Sequence, residues 1–410
     1  MTINSLQAMF DGEQLLADLE VLAQIGVDET TGGMVRLAYG AADRAGRAWV
    51  RGEMEKLGLA VTEDAAGNTI ALYPGTEPDL PPIALASHTD TVPHGGKYDG
   101  ALGVLAALAA VRTLQAAGVR LRHPVAIINF AAEEATMAGG TMGSRLMAGN
   151  YDVGLLQRVG WNGRSLADIL REAGLDPDRI TEAARPVGSL AAYVELHVEQ
   201  GGLLAGTKTA VGVVSGIVGI RRYQVVFPGY ANHAGTTPMA SRRDALWLAA
   251  PYVLRVRDVA VAHGIVGTVG EVTVSPGVAN VIPGRVELSV EIRGLETAVL
   301  NAAETELRLA AEAVGAAFDF VENKEPVLAD PRIMEAIAAS CRALGLSHRV
   351  MPSGAGHDGM NIVQLCPIGM IFVPSEGGIS HSPDEYTAPE DNVNGGRVLL
   401  ETLLRLDEVV

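Results

Sequence analysis

The sequence predicts an α/β fold: a mostly parallel sheet covered by helices, with a smaller α+β domain looped out of it. Three observations carry this expectation. Short continuous apolar runs recur between helical stretches, as strands buried on both faces require. A β-α-β-β-α-β succession occupies the middle of the chain. The length, 410 residues with 48% hydrophobic, is more than a single core needs.

In chain order, residues 11–59 read as helical, with a break at Gly32-Gly33. Residues 61–73 read as a strand pair around the turn Ala66-Gly67-Asn68. Pro81-Pro82 precedes the first continuous apolar run, 83–86, and similar runs follow at 125–132, 191–198 and 370–373. Between them the pattern changes to strand 220–227, helix 242–263, strands 266–274 and 285–293, helix 297–314 and strand 317–322. That order is the split βαβ, or ferredoxin-like, pattern. Residues 1–210 and 328–410 are therefore expected to form one discontinuous domain, and 211–327 an inserted second one. Aromatics make up only 4%, which suits closely packed helices on a sheet.

Composition excludes several partners. A net charge of −17 opposes nucleic acid, which demands a positive field. With 2 cysteines there is no disulfide framework, so a reducing compartment is the default. The opening Met-Thr-Ile-Asn-Ser-Leu-Gln has no basic stretch followed by an apolar run, so no secretory leader is expected. The longest apolar stretch, 101–111, is far short of the ~20 residues of a membrane span. A soluble, cytoplasmic protein is the expectation.

Four of the apolar runs end in residues able to bind metal. Ile83-Ala-Leu-Ala-Ser leads into His88-Thr89-Asp90, and Ile127-Ile-Asn-Phe-Ala-Ala leads into Glu133-Glu134. Tyr193-Val-Glu-Leu leads into His197, and Met370-Ile-Phe-Val-Pro leads through a Gly-Gly turn to His381. Asp99 stands just before Gly100 and an apolar helix, whose N-terminus favours a carboxylate. Ligands of open α/β sheets collect at the carboxyl ends of the strands, so these groups are expected to converge. A lone histidine at a strand end is usually a hydrogen-bonded structural residue. His88, Asp99, Glu134, His197 and His381 differ because all five share one topological position, which His94, His123, His263 and His348 lack. Imidazole with carboxylate suits Zn²⁺, Mn²⁺ or Co²⁺. A bridging Asp between two ions is the arrangement used for hydrolysis.

Further residues carry a family resemblance. Ala-Ser-His88-Thr-Asp90-Thr-Val-Pro, Gly95-Gly-Lys-Tyr-Asp99-Gly, Glu133-Glu134 with Gly143-Ser-Arg-Leu-Met-Ala-Gly, and Glu195-Leu-His197-Val-Glu-Gln200-Gly resemble the M20 metallopeptidase superfamily. Ala231-Asn-His233-Ala-Gly-Thr-Thr-Pro, Pro276-Gly-Val-Ala-Asn280, Glu291-Ile-Arg293-Gly, Ser353-Gly-Ala-Gly356-His-Asp and Gly378-Ile-Ser-His381-Ser-Pro extend it over nearly the whole chain. The amidase branch fits best: N-carbamoyl-L-amino acid hydrolases, β-ureidopropionases and allantoate amidohydrolases.

The resemblance implies a zinc-exopeptidase-like catalytic domain with an inserted lid and dimerisation domain. It implies two divalent ions per subunit, one held by His88, Asp99 and His197, the other by Asp99, Glu134 and His381. Glu133 would act as general base, with Asp90 orienting the His88 imidazole. Gln200, His233, Asn280, Arg293 and Gly356 would contact a small carbamoyl or ureido amino acid. His233 would also stabilise the oxyanion, reaching the site across a homodimer. Two departures stand near the substrate: Ala135-Thr136-Met137-Ala138 where the amidases usually carry a small residue and then Arg-Phe, and Tyr230 where they usually carry Gln. A dipeptidase or aminopeptidase of the same superfamily is the alternative enzyme. A catalytically silent metal-binding scaffold is the alternative outside enzymes, and the retention of Glu133 speaks against it.

Overall fold

The computed structural model describes residues 6–136, 139–152 and 154–410. The first five residues, part of the stretch read for a leader, and Met137 and Ala138 of the divergent segment lie outside the described residues. The chain divides into two compact units, Met1–Gly216 with Ala329–Val410, and Ile217–Leu328.

The first unit contributes β1 (Ala60–Glu63), β2 (Thr69–Tyr73), β3 (Ile83–His88), β4 (Val125–Phe130), β5 (Ala192–Val198) and β6 (Val211–Ile217). The chain then runs through β7 (Gly219–Pro228), β8 (Val266–Ser275), β9 (Arg285–Gly294) and β10 (Ala317–Lys324) of the second unit. It returns through β11 (Val327–Leu328), β12 (His348–Ser353) and β13 (Ile368–Val373).

The large sheet has the order β1-β2-β4-β3-β5-β13-β6. Its centre, β4-β3-β5-β13, is parallel. The flanks are antiparallel: β1 on β2, β2 on β4, and β6 on β13. Every residue of β3, β4, β5 and β13 is buried, the state that their unbroken apolar runs demand. The segment 211–217, expected in the inserted domain, instead forms β6 of this sheet, pairing Val213 with Ile371. Its buried, Val-rich run suits a sheet covered on both faces. Strand β4 stops at Phe130 rather than 132. There Asn68 Oδ1 takes the Ala131 amide at 2.9 Å, and Ala132 turns left-handed at φ 54°.

The helix Ala101–Ala116 lies at the centre of this unit, with all but three of its sixteen residues buried. Small residues permit that depth. A Cβ on Gly103 would sit 2.3 Å from the Leu196 carbonyl of β5 and 2.7 Å from Ser87 of β3. Burying each leucine of such a helix contributes roughly 1.5–3 kcal/mol. Among the described residues no helix is long and apolar enough to cross a membrane.

The second unit is a four-stranded antiparallel sheet, β10-β7-β9-β8, with the helices Ala245–His263 and Thr297–Glu312. Alternate residues of β9, Val286, Leu288, Val290 and Ile292, are buried in one cluster with Val256, Leu300 and Leu307 of the helices. The first helix begins at Ala245, three residues later than predicted, because Asp244 accepts the Leu246 amide at 2.9 Å and caps it.

Candidate metal centre

Asp99 lies where the carboxyl ends of the parallel strands meet. His88 ends β3 and His197 stands next to last in β5; their Nε2 atoms are 3.4 and 3.1 Å from Asp99 Oδ1. On the other side His381 Nε2 is 3.4 Å from Asp99 Oδ2 and 3.6 Å from Glu134 Oε1. Two potential ligand groups result, His88-Asp99-His197 and Asp99-Glu134-His381, each with donor atoms within 4.8 Å of one another. Asp99 belongs to both.

Local structure presents the right atoms. His88 Nδ1 faces the Asp90 carbonyl at 3.1 Å and His197 Nδ1 faces the Val198 carbonyl at 2.9 Å. Both rings thereby keep their proton on Nδ1 and turn the Nε2 lone pair inward. The Gly100 amide donates to His197 Nε2 at 3.2 Å, which needs that lone pair. Gly100 sits at φ +63°, and a Cβ there would come within 2.4 Å of the His88 ring. Only glycine fits. Ala132, Gln200 and His381 hold left-handed backbone at φ 54°, 61° and 53°, strain of a kind that collects at functional sites.

The electrostatics show how strongly these groups act on one another. Burial opposes charge on His88, but Glu133, Asp99 and Asp90 outweigh it and raise its pKa well above the usual imidazole range. The hydrogen bond to Asp99 raises His381 to about 9. Burial works to raise Asp99, yet His197, His381 and His88 hold it well below the usual carboxylate range. Burial, then repulsion by Asp99, lifts Glu134 to about 7. Buried acids and imidazoles thus face one another at close range. Neutral imidazoles and ionised carboxylates around two divalent cations would satisfy the same groups, so this donor set fits the metals.

Glu133 is buried, with Oε2 3.7 Å from His88 Nε2. Burial, then Asp358 and Glu134, push its pKa well above the ordinary carboxylate value against the pull of His88. Asp90 meets His88 with both its carbonyl, 3.1 Å from Nδ1, and its carboxylate, whose Oδ1 is 3.7 Å from Nδ1. The same carboxylate accepts the Glu133 amide at 3.2 Å and the Glu134 amide at 3.0 Å, which ties the His88 turn to the Glu133-Glu134 segment. Gln200 also differs from a free substrate contact: its Nε2 donates to Asp99 Oδ2 at 2.8 Å and lies 3.2 Å from His381 Nε2.

Sequence reasoning assigned no role to several buried partners. Glu385 accepts the Tyr98 and Asp99 amides at 3.0 and 3.1 Å with one oxygen and the Ser380 hydroxyl at 3.1 Å with the other, tying the Asp99 and His381 loops together. Glu195 accepts from Ser87 at 3.0 Å and Tyr193 at 2.6 Å. His357 packs its ring edge-on against His197, 4.6 Å between centroids, and bonds Ser353 Oγ at 2.8 Å. Glu195, His197 and His357 form a third possible ligand group. Both Glu195 oxygens already accept hydrogen bonds, so Glu195 and His357 serve as a supporting wall behind His197. The Gly-His-Asp motif was visible in the sequence; nothing there told which of its residues faces the cluster.

The remaining expected contacts fall in three places, since Arg293 lies at the opposite end of β9 from the His233 and Asn280 loops. Gly356 lies in the loop after β12 of the first unit. His233, Asn280 and Arg293 belong to the second unit. There a bridge joins His233 to Val281, and the Ala234 amide donates to the Asn280 carbonyl at 2.9 Å. His233 Nδ1 accepts the Gly235 and Thr236 amides at 3.0 and 3.2 Å, leaving Nε2 to carry the proton outward. Arg293, near the end of β9, donates to Glu291 at 2.7 Å. Tyr230 is 69% exposed in the same unit.

Comparison with known proteins follows the same lines. A profile of Peptidase family M20/M25/M40 matches residues 84–405. The chain is 40% identical over 406 residues to the N-carbamoyl-L-amino acid amidohydrolase of Geobacillus stearothermophilus, covering 97% of this chain and 99% of that one. It is 35% identical over 398 residues to the allantoate amidohydrolase of Bacillus subtilis, covering 95% and 96%. Among solved structures, the crystal structure of an amidase of the hydantoinase/carbamoylase family from Burkholderia multivorans is similar, with TM-score 0.90, 34% identity and coverage of 98% and 99%.

Proposed function

The chain belongs to peptidase family M20/M25/M40, and on that premise we propose that it is an amidohydrolase cleaving the carbamoyl or ureido C–N bond of a small N-substituted amino acid. N-carbamoyl-L-amino acids, ureidopropionate and allantoate are the substrate types. One observation carries the reading: two ligand groups share Asp99, with Glu133 buried beside them.

His88, Asp99 and His197 would hold one divalent cation and Asp99, Glu134 and His381 a second, with Zn²⁺, Mn²⁺ or Co²⁺ suited to the donors. When bound, such a pair lowers the pKa of water and polarises the substrate carbonyl. Glu133 takes the proton from water and returns it to the departing nitrogen, work suited to a carboxylate whose pKa burial has raised. For a carbamoyl amino acid, one water yields the free amine, carbon dioxide and ammonia. Asp90 keeps Glu133 in place through the two amide bonds it accepts.

Substrate contacts are proposed for Gln200, His233, Asn280, Arg293 and Gly356. The Nε2 proton of His233 is the donor an oxyanion needs, and the Arg293 guanidinium suits the substrate carboxylate. We also propose a homodimer formed through the second unit, because Trp247, Leu254 and Val261 of the helix Ala245–His263 are 50%, 54% and 75% exposed. Buried free thiols at Cys341 and Cys366 fit a cytoplasmic setting.

The test is ammonia release from N-carbamoyl amino acids, ureidopropionate and allantoate by metal-reconstituted protein, beside dipeptides as controls. Turnover of dipeptides alone sinks the reading. Glu133→Ala should keep its metal and lose about 1,000-fold in turnover; unchanged turnover removes Glu133 from the mechanism.

A further inference from the structure

Behind the metal centre, within the first unit, runs a hydrogen-bonded chain that no step above uses. Arg47, on the helix Ala41–Lys56, is buried. Its guanidinium donates to the Phe130 carbonyl at 2.8 Å, the Asn129 carbonyl at 3.1 Å, Asn129 Oδ1 at 3.4 Å, Thr69 Oγ1 at 3.2 Å and the Gly67 carbonyl. The Asn129 amide crosses from β4 to the tip of β3, donating to Thr89 Oγ1 at 3.0 Å. There Arg36, fully buried, donates through Nε to the Thr89 carbonyl at 2.8 Å and through Nη1 to the Leu22 and Ile25 carbonyls at 3.1 and 3.2 Å.

The hydrogen-bond acceptors are neutral, and the buried carboxylates of Asp43 and Asp90 attract the two guanidinium groups without bonding them, so taking both cations out of water carries a cost that an apolar filler would avoid. Burial draws Arg36 down only to about 10, against the pull of Asp43 and Asp90, and it stays charged at neutral pH. What a guanidinium supplies is a rigid planar fan of donors. The carbonyls it fixes are those left open where β3 and β4 end. Thr89 stands between His88 and Asp90, and Asp90 holds the Glu133 and Glu134 amides. A shift of either tip therefore moves base and ligands together.

We propose that Arg47 and Arg36 are positioning residues of the hydrolytic reaction: with Asn129 and Thr89 they lock the tips of β3 and β4 in mutual register, so that Glu133 and the metal ligands meet. This rests on the hydrolase reading above. A cavity of about 230 Å³, lined by Arg47 with Tyr39, Arg44, Gly67, Thr69 and Leu175, opens onto the arginine and makes the proposal testable by replacement of the missing group.

Arg47→Ala is compared with the natural chain on whichever substrate of the panel that chain turns over, and in zinc affinity by competition with a chromophoric chelator. The expected losses are about 100-fold in kcat and about 10-fold in zinc affinity, with KM within about 3-fold. Millimolar methylguanidinium should restore kcat about 10-fold, and methylammonium should not. A folded variant with natural kcat and zinc affinity overturns the proposal, as does equal rescue by methylammonium. If Arg47→Ala fails to fold, Thr89→Val, which removes only the link from Asn129, must by itself lower kcat about 10-fold at an unchanged melting temperature; unchanged kcat overturns the proposal. A panel the natural chain leaves untouched sinks the hydrolase reading, and the zinc-affinity arm then decides this one.

Discussion

The candidate metal cluster and the expected contacts of the second unit, His233 and Asn280 beyond one end of β9 and Arg293 near the other, are built on opposite principles. In the first unit, His88, Asp99, Glu133, Glu134 and His197 are buried at strand ends, and Asp90, Glu195 and Glu385 bind their backbone or neighbouring walls. In the second unit, His233 and Asn280 are exposed on loops, and Arg293 is half-buried on β9, donating to Glu291 at 2.7 Å. The first region is packed into the sheet; the second carries its polar groups nearer the surface. That contrast is what a hydrolase of small anionic substrates calls for, with chemistry held rigid and recognition left adjustable.

Three substitutions would break or sharpen the contrast. The largest effect belongs to Asp99→Asn, because this residue serves both ligand groups. Metal analysis should find at most one ion retained and turnover reduced by about 1,000-fold or more; two tightly held ions with natural activity would end the view of Asp99 as a bridge. Next comes Arg293→Lys, which trades a planar fork for a point charge. Steady-state kinetics should show KM raised about 10-fold with kcat and metal content little changed, the loss of a charge-assisted hydrogen bond. A collapse of kcat with unaltered KM would move Arg293 from recognition to chemistry. The smallest expected effect is that of Val261→Lys on the apolar helix stripe, which should shift a dimer toward monomer by about 10-fold in dissociation constant, read by light scattering. A monomeric natural chain would remove the stripe's proposed role.

Much of this was legible in the sequence, and the reason is local. β3, β4, β5 and β13 are largely apolar runs: His88 and His197 stand at the ends of β3 and β5, Glu133 and Glu134 just after β4, and His381 in the loop that leaves β13. The strand and helix order of the second unit was legible too, because it rests on short-range periodicity such as the alternate burial of β9, although the cap at Asp244 that starts its first helix was missed. What escaped detection depends on distant contacts. Glu385 reaches Asp99 across 286 positions, and Arg47 meets Phe130 across 83. A buried arginine that holds carbonyls looks, in sequence, like any helix-surface arginine. Asp90 shows a finer limit. Its place two residues after His88 was plain, but that its carboxylate also holds the Glu133 and Glu134 amides depends on how β3 and β4 meet. The boundary at β6 failed for a similar reason, since a Val-rich strand carries no mark of the sheet it joins.

Strand β13 lies between β5, which it joins in parallel, and β6, which it joins antiparallel. Both neighbours precede the second unit in the chain, whereas β13 and His381 follow it. A ribosome must therefore finish an entire separate body before it supplies the strand that lies between β5 and β6, and His381 after it. A product that stops short of that strand would leave β5 and β6 without the neighbour they share and the proposed Asp99-Glu134-His381 group without its histidine.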